Sequence, residues 1–154
     1  IIRYLARQYG AGSLYPRDTK TLAIAEQWME WMKTTLNPGF FPIFWQLVRT
    51  AKEKQDLSLV QRATATTVKN LGILETRLNG REFVAGNALT IGDVALGSLF
   101  YRYFNLPLNR PSLPNVENWY SRLCERPAYQ QHAMIPFGSN QQEWLALERK
   151  GVET

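Results

Sequence analysis

Thr90, Ile91, Gly92 and Asp93 place a hydroxyl and a carboxylate three residues apart at an apparent helix start, the spacing in this chain with the most chemistry to explain. Asp93 is a candidate catalytic acid. The same spacing also builds a capping box, in which the Thr90 hydroxyl accepts from the Asp93 amide and the Asp93 carboxylate reaches back to the Thr90 amide. Leu89 and Val94 then occupy the two staple positions. Because the box accounts for both residues, Thr90 and Asp93 are read as structural.

Other reactive side chains are sparse. His132 is the single histidine and follows a short helical pattern, with no serine or cysteine at a recognisable nucleophile–base spacing, so it reads as a surface or satisfied side chain. Cys124 is the single cysteine and sits between Leu123 and Glu125, where an inert, largely buried thiol is expected. One histidine and one cysteine do not make a metal site without unusual carboxylates, so no metal is expected. Glycine-rich phosphate loops are also missing from the sequence. No catalytic residue is identified in this chain. Glu30 stands between tryptophans, with Lys33 three residues on as a helical ion-pair partner.

Composition bounds the setting for these residues. With 154 residues, 45% of them hydrophobic, the chain is long enough for one domain with a buried core. No apolar run approaches the roughly 20 residues that cross a bilayer, so no membrane association is expected. Arg3 and Arg7 interrupt the first segment and exclude a signal-peptide core. A lone cysteine forms no internal disulfide, and a cytoplasmic location is the default expectation. The net charge of +5 raises the question of nucleic acid. Its basic residues are scattered over separate elements instead of tracking one surface, so no nucleic-acid partner is expected.

Helical periodicity accounts for nearly the whole chain. Ile1, Ile2, Leu5, Ala6 and Tyr9 recur at helical spacing until Gly10 and Gly12, with no capping residue ahead of them, which reads as the back part of a longer protein. Asp18 or Thr19 opens a long helix with an unusually wide apolar face, carrying Leu22, Ala25, Met29, Met32 and Leu36 beside Ile24, Trp28, Trp31 and Thr35. Pro38 and Gly39 are expected to kink or break it before the aromatic run of Phe40, Phe41, Phe44 and Trp45. A second long helix runs from about Ser58 to Leu78, stopped by Asn79 and Gly80. Further helices are expected over 90–103, over 114–125 and from Pro127, with Ser139 and Gln142 opening a last one. No stretch sustains period-two alternation, and the fold class is all-α.

Several blocks together resemble the all-helical C-terminal domain of the glutathione transferase family. They are Phe83, Val84, Ala85, Gly86 followed by the Leu89–Val94 box, the segment Ile1–Leu5, the segment Asn115–Tyr129 with Trp119, Arg122, Arg126 and Pro127, and the segment Trp28–Pro38, which is similar to the theta-like and beta-like bacterial branch. The resemblance implies that residues 1–10 are the remnant of the last helix of a thioredoxin-like domain otherwise missing, 11–17 a linker and 18–154 the helical domain. It further implies a glutathione S-transferase C-terminal-like bundle whose catalytic Ser, Tyr or Cys and main glutathione site lie on that other domain. Glutathione is then the co-substrate and a homodimer the assembly. Trp31, Thr34, Asn37, Phe40, Phe41 and Phe44 are implied to bind a hydrophobic or halogenated small-molecule electrophile, and Glu30 to touch glutathione across the dimer. This chain alone is expected to be inactive. The alternative function is a non-catalytic domain of the same fold used for protein–protein assembly.

Overall fold

The computed structural model describes residues 1–152, with side chains described through residue 150. Eight α-helices follow in order: α1 (Ile2–Tyr9), α2 (Thr19–Trp31), α3 (Asn37–Phe44), α4 (Leu57–Leu78), α5 (Ile91–Asn105), α6 (Pro114–Cys124), α7 (Pro127–His132) and α8 (Gln141–Val152). No strand forms among the described residues, where β pairing is limited to the isolated bridges Ala11–Tyr15 and Phe83–Gly86. Nor, among the described residues, is any helix long and apolar enough to cross a membrane.

Local chemistry sets the helix starts. Asp18 accepts from the Thr21 amide at 2.8 Å and Asp56 from the Leu59 amide at 2.8 Å, each satisfying a donor the helix leaves free. Pro114 and Pro127 occupy the first turns of α6 and α7, where a missing amide costs nothing. The turn after α4 uses Gly80 at φ +68°, which a side chain would strain. At α8 the capping partner is Glu143 and not Gln142: its amide donates to the Asn140 side chain at 3.0 Å, and its carboxylate accepts from the Ser139 amide at 2.8 Å.

The Pro38 break does not occur. Helical backbone continues from α2 through a π-helical turn at Met32–Leu36 into α3, and on through a second π-helical turn at Trp45–Arg49. Proline has no amide to donate, and its ring crowds the carbonyl four residues back. Widening the turn relieves both demands, and the Asn37 amide donates to the Met32 carbonyl five residues earlier. Asn70 of α4 adds a side-chain donor to the Thr35 carbonyl at 3.2 Å.

Packing centres on α5. Ile91, Ala95, Leu96, Leu99, Phe100 and Tyr103 are buried, with α2 along one side and Trp119 of α6 edge-on to Phe100 at 4.9 Å. α2 approaches so closely that a Cβ at Gly92 would stand 2.8 Å from the Ala25 carbonyl oxygen. The wide apolar face of α2 is thereby largely consumed within the chain: Ala25, Trp28 and Met29 are buried. α1 docks through Ala6, which joins Ala25, Met29, Ile91 and Ala95 in a second small core.

Asp93 is fully buried at the head of α5, where the reciprocal box with Thr90 closes. Its carboxylate accepts from the Thr90 amide and the Thr90 hydroxyl, both at 2.9 Å, and also from two donors outside the box. These are the Val84 amide at 2.9 Å and the Trp119 indole at 3.0 Å. Burial pushes the carboxyl above its ordinary range, and these four bonds offset that push only in part. The staple is less complete, because Val94 is 38% exposed and Leu89 packs instead against the main core.

Two substitutions test this architecture. Asp93→Ala leaves three buried nitrogen donors and a hydroxyl unpartnered and should lower unfolding free energy by about 3–5 kcal/mol in urea titrations, whereas Trp119→Phe, which keeps the ring, should cost about 1–2 kcal/mol. A Gly92→Ala protein should lose about 1–3 kcal/mol in the same assay, because the Ala25 backbone has to move away.

Candidate functional site

α3 and α5 converge to form a cleft of about 300 Å³ lined by Met32, Lys33, Asn37, Phe40, Phe41, Phe44, Ser98, Leu99 and Arg102. Four other cavities are larger, at about 370 to 520 Å³, and loop residues supply most of the walls of the two largest. The α3–α5 cleft is the one with three phenylalanines on a single helix and an apolar lining, the character of a small-molecule site.

Each wall follows from local sequence. Asn37, Phe40, Phe41 and Phe44 recur at three, one and three residues, so they share a face of α3. The floor is rigid: Phe40 meets Tyr103 at 6.1 Å, and Phe44 meets Phe137 at 5.4 Å and Trp144 of α8 at 5.6 Å, all edge-on. Phe41 is 49% exposed and stacks at a tilt on Trp45 at 5.5 Å, which leaves it at the rim. Opposite, Arg102 lays its guanidinium 5.7 Å from the Phe44 ring centre and donates to the Ser98 carbonyl at 3.0 Å. Just behind the cleft, Arg49 lies between two indoles, 4.9 Å from Trp45 and 4.6 Å from Trp144, and pairs with Glu148 of α8 at 3.4 Å.

Four of the six residues implied for the pocket, Asn37, Phe40, Phe41 and Phe44, come together here. Trp31 and Thr34 do not: Trp31 packs edge-on against Trp28 at 4.9 Å, and Thr34 is exposed with its hydroxyl donating to the Glu30 carbonyl. The π-helical turn shifts the helical register after Trp31, so residues on either side of it stop sharing a face. Glu30 lies away from the cleft and accepts from Arg3 of α1 at 2.6 Å; Arg3 also reaches Glu26 at 3.3 Å. The Arg3 hydrogen bond holds the Glu30 carboxyl below its ordinary value, with Lys33 helping at longer range. His132 is exposed at the end of α7, and Cys124 is half-buried, more open than a core thiol. Among the described residues no three His, Cys, Asp or Glu side chains gather as a metal site would require.

Sequence reasoning missed Met32, Lys33, Ser98, Leu99 and Arg102. For α5 a signal existed: Ser98 and Arg102, four residues apart, are polar interruptions on one face of an otherwise apolar helix. The two phenylalanines at the centre and rim should behave differently when removed. Phe44→Ala should destabilise the protein by about 3–5 kcal/mol because it opens the core under α8, whereas Phe41→Ala should cost less than about 1 kcal/mol; thermal unfolding of the two variants checks this.

The chain is similar to known proteins in sequence and overall fold. Glutathione S-transferase GstB of Escherichia coli strain K12 is 34% identical over 88% of this chain, which spans about two thirds (65%) of GstB. Glutathione S-transferase D6 of Drosophila melanogaster is 31% identical over 78% of this chain, which spans 54% of that protein. Among solved structures, the theta class glutathione S-transferase of Xanthomonas axonopodis pv. citri with glutathione bound superposes with a TM-score of 0.86 at 35% identity, covering 90% of this chain and 72% of its own. The family described as glutathione S-transferase, C-terminal domain, matches residues 26–127, which include α3, the capping box and both walls of the cleft, and the chain belongs to that family.

Proposed function

We propose that this chain is the electrophile-pocket and dimerisation domain of a cytoplasmic glutathione transferase, which adds the glutathione thiolate to hydrophobic or halogenated electrophiles. The observation that carries the reading is the α3–α5 cleft. Its aromatic floor of Phe40 and Phe44 accepts an apolar ring, while Asn37, Ser98 and Arg102 offer polar groups at the edge. The thiolate, which is the reactive form of the thiol, comes from a thioredoxin-like domain whose Ser, Tyr or Cys stabilises it. Its sulfur lone pair forms the new S–C bond, and in the halogenated case the halide leaves with the electron pair of its own bond to carbon. Closing the cleft against that domain brings thiolate and electrophile together and accounts for rate enhancement through proximity.

Exposed apolar side chains support a covering domain. Tyr4, Leu5 and Tyr9 of α1 and Val94 of α5 stand open to solvent, and an apolar hollow of about 390 Å³ lies between Ile2, Leu5, Tyr9, Ile91 and Val94. Glu30, kept ionised by Arg3, is assigned the γ-glutamyl ammonium of glutathione on the partner subunit, where Arg3 then acts as the competing cation.

Calorimetric titration of glutathione tests the reading. The protein carrying an upstream thioredoxin-like domain should bind glutathione and conjugate chlorodinitrobenzene, whereas this chain alone should do neither. Absence of both from the two-domain protein overturns the transferase reading in favour of an assembly role, and conjugation by the chain alone overturns the placement of the catalytic residue.

A further inference from the structure

The charged groups at the cleft point to something narrower than a hydrophobic electrophile. Lys33 and Arg102 line it, and no Asp or Glu does. The ion pairs among the described residues lie elsewhere, joining Arg3 to Glu26 and Glu30 and joining Arg49 to Glu148. Lys33 is near enough to Glu30 to lower its pKa but stands outside ion-pair distance, and Glu30 is already held by Arg3. Arg102 is half-buried, and its hydrogen bond to the Ser98 carbonyl engages Nη1 alone. That bond and the Phe44 ring hold the guanidinium at the cleft wall, with Nε and Nη2 unengaged by protein acceptors. Asn37, also half-buried, makes no side-chain hydrogen bond among the described residues.

Three other arginines are spent differently. Arg77 donates to the Val84 carbonyl, Arg110 to those of Tyr103 and Leu106, and Arg122 to Glu82. These bonds tie loops to helices. Arg102 ties only one turn of its own helix, so its charge, partly removed from water and unmatched by a carboxylate, is left for something that enters the cleft.

We propose that this cleft selects aromatic halides bearing a carboxylate, which sit with the ring on Phe40 and Phe44 and the carboxylate on Arg102, with Asn37 and Lys33 as secondary donors. The inference rests on the transferase reading above and names its substrate class. In the step itself the glutathione sulfur pair attacks the halogen-bearing ring carbon. Negative charge collects on the ring until the carbon–halogen bond breaks and halide departs with its pair. The carboxylate is unchanged throughout, and no oxidant or reductant takes part. Arg102 also faces the ring on which that charge develops, where a preorganised cation helps.

The test compares chlorodinitrobenzoate with neutral chlorodinitrobenzene in the two-domain protein, and separately measures binding of unreactive dinitrobenzoate and dinitrobenzamide to this chain. The ratio of kcat/KM for the carboxylated over the neutral electrophile should fall about tenfold in Arg102→Gln, the size of one charge-assisted hydrogen bond, and return in Arg102→Lys. Binding should show the same carboxylate preference and the same loss, while the KM for glutathione stays put. Equal use of both electrophiles by the wild type, or a preference that survives Arg102→Gln, overturns the inference and leaves the transferase reading intact. Turnover of neither electrophile, with the binding preference retained, removes the transferase reading and leaves the anion-selecting cleft standing.

Discussion

A carboxylate without solvent contact must find its donors in the protein, and Asp93 finds them on three separate pieces of chain. Thr90 precedes it by three residues, Val84 by nine, and Trp119 lies far along on α6. The arrangement therefore does more than start a helix. It pins the turn between α4 and α5 to the head of α5 and fixes α6 against them by an indole hydrogen bond. Each donor is matched to a charge that burial would otherwise penalise, which makes the alternatives to this packing costly.

Everything functional hangs from α5. Asp93 and Gly92 determine where it begins and how closely α2 approaches; one to three turns later the same rod presents Ser98, Leu99 and Arg102 to the cleft. Because a helix transmits position along its axis, the cap and the cleft wall are mechanically one object. The opposite wall is held less conventionally. α3 is bracketed by π-helical turns and lies against α4 at Gly39, where a Cβ would meet Thr66, Thr67 and Asn70 at ordinary van der Waals distances of 3.4 to 3.7 Å. α8 supports the floor from behind through Trp144 against Phe44, with Arg49 between two indoles as a fastener.

Helix identity and helix starts were legible in the sequence because their causes are local. Asp18, Thr90, Pro114 and Pro127 sit within a few residues of the amides they satisfy or spare, and apolar spacing marks which face turns inward. The buried stripe of α4, from Ala63 through Thr67, Leu71, Leu74 and Leu78, reads directly from its period. The aromatic half of the cleft was legible for the same reason, since Asn37, Phe40, Phe41 and Phe44 share one short helix. Its loss of Trp31 and Thr34 was not, because a π-helical turn adds one residue to the ring and displaces the register without a distinctive composition.

What only the tertiary structure decided were the pairings between distant segments. Trp119 with Asp93, Arg3 with Glu30, and Arg102 with Phe44 join residues separated by 26, 27 and 58 positions. No local rule selects such partners: Lys33 is the nearer cation to Glu30 in sequence, yet α1 brings Arg3 against it. By itself the sequence determined an all-α domain with a capped central helix and an aromatic segment beside it. The fold determined which charges are consumed by the scaffold and which face the cleft, since that depends on how helices cross in space and not on their order along the chain.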